Sequence, residues 1–438
     1  MGYVPVTSDE RRAMLEELGL PSLEALYRDV PGEVLLDAPP DIPGGFSEME
    51  VRRHMEALAG ENRVFSTILR GAGAYDHYIP AAAKAIASKE EFLTAYTPYQ
   101  AEISQGLLQS IFEYQTMICS LTGMDAANAS VYDGASAAAE ACAMMRERHR
   151  TVTLVSACAN PETIATIRTY CWGSGHEMRM IPEKDGVTDL SALEELLDEA
   201  VSGVYIASPN FLGGLEDAEE AARLCHQAGA KLILGVNPMA LALFRTPGEL
   251  GADAAVGDGQ SLGLPLGFGG PYLGYMAVKS PLMRRLPGRI VGQTVDRDGR
   301  RAFVLTLQAR EQHIRREKAG SNICTNQALC ALTAGCYLAA MGPAGLRETA
   351  RQCYDKAHYL WGELEKLGFR RRERGPFFHE FATECPIGAG EALDALARRD
   401  ILGGLELADG RLLWCVTEKA EKARLDEAVA ALREVTRK

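Results

Sequence analysis

From about residue 105 to 280 the chain alternates between helical and strand patterns, and this alternation restricts the fold more than any other feature. Residues 105–122 read as a long amphipathic helix. Residues 135–148 are Ala-rich and helical. A β-branched strand is expected at 151–156. A helix follows at 161–170, with Asn160 placed to cap it and Pro161 in its first turn. Further helices are expected at 190–200 and 217–228, and strands at 204–207, 231–236, 254–256 and 272–278. Strands joined by helices require crossover connections, so the expected fold class is α/β: a mostly parallel sheet sandwiched by helices.

The flanks read differently. Residues 1–60 form a helical arm, with Thr7 and Glu10 in capping-box spacing ahead of Arg11-Arg12-Ala13-Met14-Leu15. The cluster Pro39-Pro40-Asp41-Ile42-Pro43-Gly44-Gly45 then breaks the chain. Residues 61–330 hold the large α/β domain. Residues 331–438 hold a smaller α+β domain, joined by long helices at 328–340 and 344–367. That domain has strands at 377–382 and 411–416 and a closing helix at 420–435.

At 438 residues the chain exceeds what one hydrophobic core serves. A net charge of −13 disfavours nucleic acid and anionic membranes as partners. The apolar stretches fall short of a membrane span, and Met1 to Glu10 lack a secretory pattern. The 11 cysteines are scattered without a C-x-x-C pair or a histidine cluster. Reduced thiols in a cytoplasmic protein without bound metal are expected.

One polar aromatic run stands out: Thr94-Ala95-Tyr96-Thr97-Pro98-Tyr99-Gln100-Ala101-Glu102-Ile103-Ser104-Gln105-Gly106. Tyr96 and Tyr99 offer rigid rings with hydroxyl handles. Pro98 fixes the backbone between them and biases Thr97 towards an extended conformation. Gln100, Ser104 and Gln105 can bond a carboxylate or phosphate. The plain alternative is a Tyr-Pro loop that only packs on the next helix. Asn322, Thr325 and Asn326 form a second polar cluster, which lines a cleft or caps the following helix. Tyr75, Asp76 and His77 form a third. His77 is either a cleft base or a structural hydrogen-bonder. The run Gly263-Leu264-Pro265-Leu266-Gly267-Phe268-Gly269-Gly270-Pro271 lacks the G-x-G-x-x-G spacing and a P-loop lysine, and reads as a tight turn where two chains meet.

A large α/β domain followed by a small α+β domain is the outline of fold type I pyridoxal-phosphate transferases. At residue level the chain resembles the glycine decarboxylase P-protein family, and within it the subunit 1 of two-chain forms. The resemblance rests on Gly73-Ala74-Tyr75-Asp76-His77-Tyr78-Ile79-Pro80, the run from Thr94 to Gly106, Asn128-Ala129-Ser130, and Glu317-Lys318-Ala319-Gly320-Ser321-Asn322-Ile323-Cys324-Thr325-Asn326-Gln327-Ala328-Leu329. It runs nearly end to end. Gly320 stands where Thr is commoner.

A self-sufficient pyridoxal-phosphate site needs a Schiff-base lysine, an acid for the pyridine nitrogen, a stacking ring and a helix N-terminus for the phosphate. Gly134-Ala135-Ser136 opens the Ala-rich helix as a vestigial anion site or an ordinary helix cap. The strand 231–236 ends in Asn237 rather than an acid. No lysine lies between Lys231 and Lys279. Lys318 sits in a charged run where a solvated or ion-paired role is expected.

The resemblance implies that a lysine-bearing subunit 2 holds pyridoxal phosphate covalently, and that this chain donates cleft walls from residues 94–106. It implies an enzyme, glycine dehydrogenase (aminomethyl-transferring), that decarboxylates glycine and passes the aminomethyl group to the lipoyl arm of an H-protein. An α2β2 assembly is the implied form. Two rivals remain: a self-sufficient decarboxylase or desulfurase, and a structural subunit with no cleft role.

Overall fold

The computed structural model describes residues 6–36, 38, 40–93 and 96–437. Two compact units divide between Val64 and Phe65. The first carries α1 (Ser8–Glu17) and α2 (Glu48–Gly60). Each opens with a reciprocal cap. The Thr7 hydroxyl accepts from the Glu10 amide at 3.2 Å while Thr7 N–H donates to the Glu10 carboxylate at 2.7 Å. Ser47 and Glu50 repeat the arrangement.

The second unit carries α3 (Ala81–Ala87) and α4 (Gln105–Thr122), which ends at Gly123 in the left-handed conformation. Then come β1 (Ala126–Ala127), α5 (Gly134–Met145), β2 (Val152–Ser156), α6 (Pro161–Gly173), β3 (Met178–Ile181), α7 (Leu190–Leu196), β4 (Val201–Ala207), α8 (Ala218–Gln227), β5 (Lys231–Gly235), β6 (Ala254–Asp258) and β7 (Gly274–Val278). These strands form one seven-stranded sheet in the order β1-β7-β6-β5-β4-β2-β3. Only β7 runs against the rest.

The period of two along the strands explains the layering. Leu154, Val204, Ile206, Leu232 and Leu234 face a core shared with Ala221, Leu224 and Cys225 of α8. The intervening Val155, Tyr205 and Ile233 face Ala137, Cys142 and Met145 of α5. Burial on both faces is what a parallel sheet covered by helices demands. Each buried Leu or Ile contributes roughly 1.5–3 kcal/mol relative to exposure.

Beyond the sheet comes a hairpin that the sequence reading left unassigned, β8 (Ile290–Val295) and β9 (Arg301–Thr306). Glutamines of α4 hold it. The Gln115 side-chain amide bonds both main-chain groups of Val291, and that of Gln105 does the same for Phe303.

The two helices expected at 328–340 and 344–367 are both present, running on as α9 (Ala328–Lys366) across a break at Gly342, which is non-helical (φ 59°, ψ 177°) and precedes Pro343. Contrary to the expectation that apolar stretches fall short, α9 is long and apolar enough to cross a membrane by composition. Its apolar side packs on α3 and α4. After α9 the sheet type changes: β10 (Glu380–Thr383), α10 (Ala389–Ala397), β11 (Leu405–Glu406), β12 (Leu412–Cys415) and α11 (Lys422–Thr436) build a three-stranded antiparallel sheet in the order β10-β12-β11.

Candidate functional site

A cleft of about 600 Å³ opens at the carboxyl ends of β4, β5 and β6, the place where ligands bind in open α/β sheets. Its walls include Tyr75, Gly134, Ala135, Asn210, Asn237, Asp258 and Glu380. Tyr75 is held there twice. Its hydroxyl donates to Glu380 Oε2 at 2.7 Å, and Gln260 bonds both its main-chain groups at 2.8 and 2.9 Å. Burial raises the Glu380 carboxyl to about 7, against the pull of the bonds from the Ala72 amide and Tyr75. Sequence reasoning missed Glu380. Its signal was an acid inside the apolar run Phe377-Phe378-His379-Glu380-Phe381.

The residues of this cleft do not fit covalent anchoring of pyridoxal phosphate. No lysine lines it. Asn237, at the end of β5, accepts from the Met239 amide at 2.9 Å through Oδ1, while its Nδ2 is buried without a partner. An amide there cannot hold a pyridinium proton as a carboxylate does.

Of the two readings of Gly134-Ala135-Ser136, a vestigial anion site or an ordinary helix cap, the geometry is that of a cap. Two internal carboxylates already face this helix start. Asp133 Oδ1 accepts from the Ser136 amide at 2.7 Å, and Asp258 Oδ2 accepts from the Gly134 amide at 3.0 Å. Asp258 Oδ1 takes the Gln260 amide at 2.9 Å. Burial raises Asp258 to about 6 despite these bonds. A phosphate would meet negative charge where it needs free donors. The approach is close, because a Cβ on Gly134 would lie 2.8 Å from the Asp258 nitrogen.

His77 is not an open base. It is buried, and its Nδ1 lies 2.7 Å from Glu418 Oε2, whose other oxygen accepts from the Tyr78 amide at 2.6 Å. The structural alternative holds for this residue.

A second polar centre gathers the remaining candidates around Arg289, which sequence reasoning also missed. Arg289 is 6% exposed. Its guanidinium donates to Asn326 Oδ1 at 2.9 Å, to the Cys324 carbonyl at 2.6 Å and to the Tyr99 hydroxyl at 3.2 Å. It also lies 5.4 Å from the Tyr99 ring centre. Asn326 Nδ2 in turn donates to Ser130 Oγ at 2.7 Å. Asn128 donates to the Pro287 carbonyl and the Ala129 amide to the Arg289 carbonyl, at 2.9 and 2.7 Å. Gly288 makes that approach feasible: its φ is +79°, and a Cβ would come within 3.0 Å of Asn128. Three separate sequence motifs thus converge on one buried cation. The available signal was a lone arginine between Leu286 and the apolar start of β8.

Around this centre the polar aromatic run is surface. Tyr96 is 86% exposed, Ile103 78% and Tyr99 49%. Gln100 is exposed, Thr97 and Ser104 are half-buried, and Pro98 is buried. Thr94 and Ala95 lie outside the described residues. Gln105 is spent on the hairpin and the Ala101 carbonyl, not free for a ligand. Asn322 and Thr325 are exposed beside the cluster. Asn326 does not cap α9, whose cap position is Gln327.

The chain is similar to known proteins over nearly its whole length. The model of the family "Glycine cleavage system P-protein" matches residues 1–432. A probable glycine dehydrogenase (decarboxylating) subunit 1 from Moorella thermoacetica is 50% identical over 441 residues, covering 99% of each chain. The crystal structure of a glycine decarboxylase (P-protein) of the glycine cleavage system in inhibitor-bound form superposes with a TM-score of 0.92 at 44% identity, over 99% of this chain and all of that one. A sphingosine-1-phosphate lyase from Burkholderia pseudomallei shares the fold alone, with a TM-score of 0.67 at 15% identity over 91% of this chain and 93% of that one. The fold is that of the type I pyridoxal-phosphate-dependent transferases, and the chain belongs to the glycine cleavage system P-protein family.

Proposed function

We propose that this chain is the non-anchoring subunit 1 of a two-chain glycine dehydrogenase (decarboxylating). It pairs in the cytoplasm with a lysine-bearing subunit 2 as an α2β2 assembly, and subunit 2 holds pyridoxal phosphate covalently. The observation that carries this reading is the cleft itself, which keeps the architecture of a cofactor site without an amine and with Asp258 at the helix start.

The cofactor, when bound by the partner, supplies an electron sink as glycine loses carbon dioxide. This chain adds a wall to the partner's cleft. Tyr96 and Tyr99 are presented on an exposed segment, and Arg289 and Asn326 fix the Tyr99 hydroxyl and the start of α9. Closing that wall over glycine excludes water while the aminomethyl group passes to the lipoyl arm of an H-protein.

The test is an absorbance spectrum of the chain with pyridoxal phosphate, alone and then with subunit 2, followed by borohydride reduction. The expected result is no reducible adduct on the isolated chain, and a glycine-responsive band on mixing. A reducible adduct in the cleft of the isolated chain overturns the reading. Full activity of the assembled Tyr96→Phe and Tyr99→Phe variants would instead favour a structural subunit.

A further inference from the structure

A second cavity, of about 300 Å³, lies between the C-terminal half of α5 and residues 310–323. It shares no lining residue with the cleft at the strand ends. Six cationic side chains line it, Arg146, Arg284, Arg285, Arg310, Arg315 and Lys318, in a chain whose net charge is −13. Only two acids join them, Glu140 and Glu311. Glu140 is buried, and burial raises its carboxyl towards the neutral form. Glu311 is buried too, 3.6 Å from His313.

The cations are short of counter-charge. Arg285 lies 3.7 Å from Glu147. Among the described residues, no carboxylate comes within ion-pair distance of Arg146, Arg284, Arg310, Arg315 or Lys318. Arg146 donates to Ser174 Oγ at 2.7 Å and Arg310 to the Gly288 carbonyl at 2.7 Å. The Nε–H of each is buried with no acceptor. A buried guanidinium donor left unpaired costs about 1–3 kcal/mol. Burial holds Arg310 below its ordinary pKa, against the pull of the Glu311 carboxylate beside it.

We infer that this cavity is a binding site for a small, multiply charged oxyanion of the phosphate class. Guanidinium forks match tetrahedral oxyanions because several N–H groups can each meet a separate oxygen. A single carboxylate would leave most of the positive charge unanswered. A half-open cavity of this size has room for a phosphate group or a small phosphate ester. The site lies beside Gly320 and Ser321, within the polar motif that also reaches Arg289.

The probe is inorganic phosphate, titrated calorimetrically into the full chain in a phosphate-free buffer of low ionic strength, with the paired enzyme as a second sample. Saturable binding at one site is expected, with sulfate competing and chloride at matched ionic strength failing to compete. Arg310→Gln and, separately, the exposed Lys318→Gln should each weaken binding about tenfold. Lys318→Gln keeps the test valid if loss of the Arg310–Gly288 bond impairs folding. Three outcomes overturn the proposal. One is no saturation at millimolar phosphate. Another is unchanged affinity in both variants. The third is binding that disappears on pairing with subunit 2, which would mark the cavity as a receptor for an acidic side chain of the partner.

Discussion

The Arg289 guanidinium lies 3.2 Å from the Tyr99 hydroxyl and 5.4 Å from the centre of its ring. One buried cation therefore sets both the height and the tilt of a half-exposed tyrosine. The same group holds Asn326 and the Cys324 carbonyl, and so ties the loop before α4 to the segment before α9.

Arg289→Lys should separate this positioning from charge. A lysine keeps the cation, but its point-like ammonium cannot meet three oxygens in a fixed plane. Loss of the buried bonds should cost roughly 2–3 kcal/mol of stability. Activity of the assembled enzyme should fall roughly ten- to a hundredfold through misplacement of Tyr99 and Asn326. Steady-state kinetics on a variant with unchanged far-UV dichroism checks it, and wild-type kcat/KM would refute the positioning role.

The strands and helices around the main sheet were legible because burial on both faces writes long apolar runs between helical periods. Residues 231–236 and 151–156 are examples, and their observed bounds differ by one residue. The β8–β9 hairpin was passed over, although Asp296 to Gly299 makes a polar turn directly after the β-branched Thr294 and Val295. It is held by glutamines of α4 that lie more than 170 residues away in the chain, and no local window contains them. The same holds for the site. The missing lysine could be read from the sequence by inspection. That Asp258 meets the Gly134 amide 124 residues earlier could not. Nor could the network that joins Tyr99 and Asn326 to Arg289, and Asn326 in turn to Ser130, because buried polar networks are long-range by construction.

Glu380 gives the protein a pH-dependent stability. Burial raises its folded-state pKa from 4.5 to about 7. The folded chain thus retains a proton that the unfolded chain releases. The stabilisation is fully present below pH 4.5 and is lost as pH rises through about 7, an effect of up to ~3 kcal/mol. Glu380→Gln removes the titration while keeping an acceptor for the Ala72 amide and a polar partner for Tyr75. Between pH 5 and about 8 the variant should lose less stability than the wild type in urea titrations. Parallel curves would show that Glu380 does not carry the dependence.

Gly213 should tolerate no side chain. Its φ is +89°, and a Cβ would lie 1.8 Å from the Glu380 carbonyl oxygen in β10. Asn210 organises this turn by accepting from the Leu212 and Gly214 amides at 3.1 and 3.0 Å, so the backbone has little freedom to retreat. Gly213→Ala should destabilise the chain by several kcal/mol, about 4 or more, through combined strain and clash. Soluble expression with a near-native melting temperature would contradict this.

Phe268 tests whether the Gly-rich turn serves pairing. It is 100% exposed and holds φ +54°, a conformation costly for a bulky residue. Among the described residues nothing covers the ring, whereas burial against another chain would repay the cost. Phe268→Asn relieves the backbone, since asparagine accepts the left-handed region. The isolated variant should be as stable as the wild type or more so, by about 1 kcal/mol. Its affinity for subunit 2 should fall about tenfold, the equivalent of one buried aromatic contact of ~1.4 kcal/mol. Thermal unfolding of the single chain and sedimentation of the mixture read the two effects separately. A variant that pairs like the wild type would place this turn outside the interface.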